Sequence, residues 1–271
     1  MKKIFKIAIF VFILFAGFHA FANNAAQGIR SFKAGRYQEA MSYLMKPDAQ
    51  RDAKAVNLVG YLYDEGLGVA KNAEVANQWY RKAAEMGFAK AQFNLGLSYQ
   101  YGSGVSKDES EAVKWFRKAA EQKYFKAESK MGYLTAEGIG VKQDYKEAMK
   151  WYRRAAEHGD HGAYADIGLF YDKGEGVTKD PNQAVQYYIL GAEKGNGRAQ
   201  LFLADCYAKG NGIRQDNERA LHWYREAAKN GNVMAMQELA AIYAKGRLGV
   251  RKNEAESQRW LEMAREKETH S

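Results

Sequence analysis

The chain has 271 residues, of which 46% are hydrophobic and 27% are charged, and its formal net charge is +9. The lysines are dispersed among glutamates and form no basic run with interleaved aromatic residues, which argues against a nucleic-acid-binding protein. Cys206 is the only cysteine, so an intrachain disulfide is excluded and stability must come from packing.

The first 22 residues have the pattern of a secretory signal peptide. Lys2 and Lys3 precede an apolar run from Ile7 to Phe18, which leads to the small-residue pattern Ala20-Phe21-Ala22. We predict cleavage after Ala22 and a periplasmic or secreted mature protein, in which 38 basic residues face 32 acidic ones. An uncleaved anchor is the alternative, although the run is shorter than the roughly 20 residues that span a bilayer. No later segment is apolar enough to cross a membrane.

Residues 23–50 are predicted to form a helix pair that caps the N-terminal end of the fold. Ala25 to Lys33 would be its first helix, and Gly35-Arg36-Tyr37 would begin the hinge and the second helix, which Pro47 ends. This pair looks like a tetratricopeptide unit.

Residues 51–271 contain six copies of one motif. An aromatic residue recurs with spacings of 36, 36, 36, 36 and 37 residues, and a fixed period of this length is typical of a solenoid. A Gly-x-Gly-Val element keeps the same step, as in Gly102 to Val105. The recurring aromatic residues are Trp79, Trp115, Trp151, Tyr187, Trp223 and Trp260.

Each copy reads as two helices. The first has an apolar face at helical spacing and ends at a glycine that can adopt a left-handed C-cap. The second begins at a polar N-cap, and four of these starts, such as Asp108 with Glu111, also have the spacing of a capping box. Since one helix pair cannot bury its apolar face alone, stacking of neighbouring pairs is obligatory. The predicted N-caps are Asn72, Asp108, Asp144, Asp180, Asp216 and Asn253.

These landmarks resemble the Sel-one-like repeat family, a relative of the tetratricopeptide solenoids. The resemblance covers residues 51–271 and implies an all-α, right-handed α-solenoid of stacked antiparallel helix pairs. It also implies a non-enzymatic scaffold for protein–protein interaction. In the second copy the residues that match the family pattern are Ala91, Leu95, Gly96, Tyr99, Gly102, Gly104, Val105, Asp108, Ala112, Trp115, Phe116, Ala119 and Ala120.

Residues that could indicate catalysis or metal binding have simpler explanations in the repeat frame. His158 and His161 flank a joint that recurs between copies, so we predict two exposed turn residues rather than a zinc site, which would need more ligands. His222 is predicted to lie on a helix surface, and Cys206 to fill a small buried space. The glycine-rich loops lack the Gly-Lys-Ser/Thr ending of a phosphate-binding loop. The sequence thus predicts no catalytic residue, metal or cofactor.

The first helices are predicted to line the concave surface, where residues off the packing stripe form a partner-binding face. Aromatic and apolar residues concentrate in the first four copies, and basic residues lie at the edge. Such a groove suits a peptide or amphipathic helix with acidic groups; side chains that merely solvate this surface are the alternative. The candidate residues are Tyr61, Phe93, Leu97, Tyr101, Tyr133, Leu169, Lys54, Lys90, Lys126, Lys173, Arg198 and Lys209.

Two functions follow from these expectations. The first is an exported, monomeric scaffold that binds another protein in envelope assembly or at host contact. The second is a cell-wall-directed or β-lactam-directed binding protein or hydrolase, since some exported relatives are associated with that chemistry. Those relatives have a cysteine pair in each repeat, whereas Cys206 stands alone here, and no Ser-x-x-Lys motif occurs.

Overall fold

The computed structural model describes residues 24–269, and this part of the chain folds into helices joined by short loops. The predicted signal peptide lies outside the described residues. Residues 24–33 form α1, and a 3-10 turn, Ala49–Arg51, follows α2. The other helices are α2 (Tyr37–Leu44), α3 (Ala53–Glu65), α4 (Ala73–Glu85), α5 (Ala89–Tyr101), α6 (Glu109–Glu121), α7 (Phe125–Glu137), α8 (Tyr145–Glu157), α9 (Ala163–Lys173), α10 (Pro181–Glu193), α11 (Gly197–Lys209), α12 (Asn217–Lys229), α13 (Val233–Lys245) and α14 (Glu254–Thr269).

The odd-numbered helices from α3 to α13 are the first helices of the six repeats, and the even-numbered ones from α4 to α14 are the second helices. This arrangement confirms the predicted all-α fold of helix pairs. The described residues form two compact units. Unit one extends to Ala127 and includes Ile139–Val141, and unit two comprises Glu128–Gly138 together with the chain from Lys142 onward. None of the helices within residues 24–269 is both long and apolar enough to cross a membrane.

The six predicted N-caps all begin second helices, and each accepts a hydrogen bond from a backbone N–H three residues later. The reciprocal half of the capping box is different. The Asp108 N–H donates to the carbonyl of Tyr99 in the preceding helix, 2.9 Å away, and the Glu111 carboxylate instead lies 2.9 Å from the Lys114 amine. The N-cap therefore ties the start of the second helix to the first helix of the same repeat.

The loop between the two helices depends on a pair of glycines. Gly102 ends α5 in the left-handed region, with a φ of 72°, where a residue without Cβ is favoured. Gly104 also has a positive φ, and a Cβ at this position would lie 2.4 Å from the backbone carbon of Ala73 on α4. The second glycine therefore lets the loop pack directly on the second helix of the preceding repeat.

In the first four repeats, the large residue after the tryptophan position packs against a glycine of the first helix. Phe116 is fully buried, and its ring lies where a Cβ on Gly96 would stand, 2.6 Å away. Tyr80, Tyr152 and Tyr188 oppose Gly60, Gly132 and Gly168 in the same way. Removing each such ring from water contributes about 1.5–3 kcal/mol, and the opposing glycine makes that burial possible.

Candidate partner-binding face

One side of each first helix is at least partly exposed along its whole length. Each first helix has a buried alanine that recurs every 36 residues, at Ala55, Ala91, Ala127, Ala163, Ala199 and Ala235. The exposed side comprises the residue before this alanine and the residues three, six and ten positions after it. These positions are spaced i, i+4, i+7 and i+11, which share one side of an α-helix. In α5 this first-helix stripe consists of Lys90, Asn94, Leu97 and Tyr101.

In unit one the first-helix stripe carries three lysines, two tyrosines and one glutamate, Glu65. Lys54, Lys90 and Lys126 are exposed, and none of them lies within 4.0 Å of a carboxylate of the described residues. Tyr101 is 68% exposed, and Leu97 is half-buried. The lysine charges are therefore available to an external anion, beside apolar surface that is open to solvent.

Two predicted aromatic residues of unit one have contacts within the protein. The Tyr61 ring is 5.8 Å from that of Phe32, edge to face, and burial, followed by the nearby Glu65 carboxylate, raises the pKa of Tyr61. Phe93, expected on the exposed face, is half-buried, with its ring 5.4 Å from those of Phe116 and Tyr124. Phe93 lies two residues after the conserved alanine, outside the stripe, and helps to pack the helices together.

In unit two most charges of the stripe are already paired. Arg198 lies 2.7 Å from the Asp166 carboxylate, Lys209 lies 3.2 Å from Asp205, and Lys173 lies 3.7 Å from Glu175. Tyr133 is 46% exposed and Leu169 is half-buried. Three of the predicted basic residues thus have carboxylates of this chain beside them, in contrast to the lysines of unit one.

The sequence reasoning missed the position three residues after the conserved alanine. It is half-buried in every repeat. Among its residues, burial lowers the pKa of the Lys130 amine and raises that of the Asp166 carboxyl, an effect that Arg198 opposes. The signal in the sequence was the helical period, because this position is one turn after the lysine position. Its residues are Leu58, Asn94, Lys130, Asp166, Phe202 and Glu238.

His158 differs from its prediction as an exposed turn residue. Its Nδ1 atom lies 2.7 Å from the carboxylate of Glu128, whose side chain is fully buried, and the His158 side chain is only 26% exposed. The other Glu128 oxygen accepts a hydrogen bond from Arg154 at 3.0 Å. The same two positions, 30 residues apart, hold hydrogen-bonded amides in other repeats: Gln92 with Gln122, and Gln200 with Asn230. Position 158 is therefore part of the contact between the first and second helices of one repeat.

The sequence also singled out His161, His222 and Cys206 as residues that could indicate chemistry. His161 and His222 are exposed, as predicted, and no group of three potential metal ligands clusters within residues 24–269. Cys206 is buried, and burial, with a smaller contribution from Asp172, raises its pKa to about 12. Its thiol stays protonated at neutral pH, which makes it a poor nucleophile.

Comparison with known families accounts for the repeats. The sequence pattern described as the Sel1 repeat matches residues 53–88, 89–124, 126–160, 161–196, 197–232 and 233–268. The chain belongs to the Sel1 repeat family. Sel1 repeats generally mediate protein–protein interactions, and the recurring elements described above build the helix pairs and pack them together.

Three known proteins show the breadth of the similarity. A Sel1 repeat protein from Oxalobacter formigenes is 68% identical, with 89% of this chain and 96% of that chain covered and a TM-score of 0.87. A protective antigen of uropathogenic Escherichia coli with an SLR fold is 32% identical, with 90% and 61% covered and a TM-score of 0.68. Chitin synthase regulatory factor 3 of Schizosaccharomyces pombe is 38% identical over 55 residues, a segment that spans 20% of this chain and 6% of the yeast protein.

Proposed function

We propose that this Sel1 repeat protein is an exported, non-enzymatic scaffold that binds a peptide or helix of another protein along its first-helix stripe. The observation that carries the proposal is the set of in-phase lysines in unit one, which have no carboxylate partner in the described part of the chain. Tyr101 and Leu97 provide apolar surface beside them. Such a surface suits a partner segment with both acidic and apolar side chains.

The pattern of pairing across the surface supports this assignment. Three lysines on second helices are paired with a carboxylate one turn earlier, as Lys114 is with Glu111 at 2.9 Å and Lys150 with Glu147 at 3.0 Å, although Lys118 and Lys146 are not so paired within the described residues. Solvation of a surface does not require that unpaired charges of one sign lie in a row. A row of unpaired lysines attracts an acidic partner.

Export is supported by the signal-peptide pattern of residues 1–22 and by one relative. The Escherichia coli protein is described as a protective antigen. We propose that the present chain acts in the cell envelope or at host contact. Expression of the full chain with a C-terminal tag, followed by mass spectrometry of the N-terminus in the exported fraction, should yield a mature protein beginning at Asn23. An intact Met1 in that fraction would refute cleavage.

Site-specific photo-crosslinking in living cells tests the binding face. We expect benzoylphenylalanine at Tyr101 to capture one discrete protein partner, since this side chain is 68% exposed on the stripe. Met86 is the control position because it is 41% exposed in the same unit but outside a first helix. Equal capture of the same partner from both positions would contradict a specific face.

Charge reversal then tests whether the lysines recognise the partner. We expect reversal of the stripe lysines to lower capture from Tyr101 about tenfold, since three favourable charge contacts become repulsive. The test variant is Lys54→Glu, Lys90→Glu and Lys126→Glu. A control variant with the same change in net charge, on exposed residues outside the stripe, is Lys71→Glu, Lys107→Glu and Lys114→Glu. The same loss of capture in both variants would show that net charge, rather than the stripe, matters.

A further inference from the structure

Lys130 differs from the other charged residues at its position in the repeat. In unit two, Asp166 lies 2.7 Å from Arg198 and Glu238 lies 2.7 Å from Arg247. The Lys130 amine has no carboxylate within 4.0 Å among the described residues, and its side chain is half-buried. A cation that loses part of its hydration without gaining a counter-ion is destabilising.

The surroundings of Lys130 define a small receptor for a partner side chain. The amine lies 5.8 Å from the centre of the Tyr133 ring, a cation–π contact that compensates only part of the lost hydration. Tyr133 itself is 46% exposed one turn further along α7. A half-buried cation thus adjoins an open aromatic surface on one side of one helix.

The carboxylates on the same helix do not form an ion pair with Lys130. Glu128 is fully buried and bound to Arg154 and His158. Glu137 is exposed, seven residues further along the helix, and makes no ion pair within the described residues. The carboxylates of α7 therefore leave Lys130 without a counter-ion within the described residues.

We propose that Lys130 binds an aspartate or glutamate side chain of the partner peptide, and that Tyr133 binds an apolar side chain close to it in the same peptide. This inference rests on the proposed function and specifies the chemistry of the partner. Lys130 and Tyr133 are three residues apart on a helix, so their side chains are neighbours about 5–6 Å apart. Residues i and i+2 of an extended peptide point to the same side at comparable spacing. The recognised pattern is acidic-x-apolar in either direction.

A stability measurement separates a binding role from a structural one. Lys130→Gln removes a half-buried charge that has no counter-ion among the described residues, so its thermal midpoint should equal or exceed that of the wild type. The control is Lys150→Gln on α8, whose side chain is 72% exposed and whose amine is paired with Glu147. A clear fall in the midpoint of Lys130→Gln alone would show that this lysine stabilises the fold and would overturn the proposal.

Binding is tested with peptides selected from a random phage-display library on the chain from Asn23 onward. The tightest peptide is synthesised with an amidated C-terminus, and each acidic residue is changed in turn to its amide. On the wild type, one of these changes should weaken binding about tenfold, the value of a charge-assisted hydrogen bond. On Lys130→Gln the same change should have almost no further effect, whereas Lys150→Gln should behave like the wild type.

The outcomes distinguish this inference from the proposed function. If the peptide binds the stripe, so that Tyr133→Ala or Tyr101→Ala weakens it, but no acid-to-amide change is coupled to Lys130, only the present inference is overturned. If no peptide is enriched, or if no stripe substitution weakens binding, the proposed function fails and this inference fails with it.

Discussion

The contact between Glu128 and His158 allows a quantitative test of how the two helices of one repeat are held together. The fully buried Glu128 side chain has a donor for each oxygen, with Arg154 at 3.0 Å and His158 at 2.7 Å. His158→Ala removes one donor and leaves one carboxylate oxygen buried without a partner. Loss of a hydrogen bond to a charged group costs about 1.5–3 kcal/mol. The larger cost of breaking a buried ion pair, about 3–5 kcal/mol, does not apply, because Arg154 remains.

We therefore expect His158→Ala to destabilise the protein by about 2 kcal/mol, or roughly 4–8 °C in Tm for a chain of this size. Circular dichroism at 222 nm during heating and in urea measures the change. His161→Ala is the matched control, since His161 lies in the same loop, is exposed and should change stability by less than about 0.5 kcal/mol.

A double variant tests whether complementarity, rather than histidine itself, is required. Glu128→Gln with His158→Gln reproduces the pair that Gln92 and Gln122 form at 2.8 Å in unit one. Because two neutral amides satisfy each other, this variant should be more stable than His158→Ala. The reasoning is refuted if His158→Ala is no worse than His161→Ala, or if the amide pair restores nothing.

Three further predictions concern the repeat architecture. Gly104→Ala should lower the free energy of unfolding in urea by about 2–4 kcal/mol, because alanine is strained in the left-handed region and its Cβ would overlap Ala73. Gly87→Ala, where φ is 87° and a Cβ would meet no atom within 4 Å, should lower it by only about 1 kcal/mol. Asp108→Ala should cost about 1 kcal/mol through the lost N-cap, and an unchanged urea midpoint would contradict the capping role. The Cys206 thiol has a pKa of about 12 in the fold and about 8.5 when unfolded, so its contribution to stability is complete below about pH 8.5 and is lost as the pH rises toward 12. Thiol labelling of the native protein should accordingly stay slow at pH 9, and rapid labelling there would refute the assignment.

Much of the fold could be predicted from sequence because the same local signals recur from repeat to repeat. The recurring N-cap positions fixed the starts of the second helices, and Gly102 with Gly104 fixed the loop. The capping-box spacing correctly predicted the side-chain hydrogen bond of the N-cap but not the reciprocal bond of its backbone N–H. Asp108 and Glu111 satisfy the spacing rule, but the Asp108 N–H reaches the Tyr99 carbonyl of another helix, and a spacing rule within one helix contains no information about that contact.

The candidate site was less predictable, because side-chain orientation depends on packing. Phe93 was expected on the exposed face, yet its ring lies against Phe116 and Tyr124. In the next repeat the residue that corresponds to Phe93 is Ser129, and Lys130, which follows it, was overlooked. A shift of one residue turns a side chain by about 100° around a helix, which is enough to exchange a core position for a surface one.

The sequence by itself determined the period, the helix pairs and the family, since capping, glycine conformation and apolar spacing are local properties that recur in every repeat. The tertiary structure alone decided which charges are paired between helices. Arg198 is neutralised by Asp166, which packing brings to it from another helix, while Lys54, Lys90 and Lys126 keep their charges unpaired within the described chain. Pairing depends on distances of a few ångströms between helices, and those distances are set by how the repeats pack.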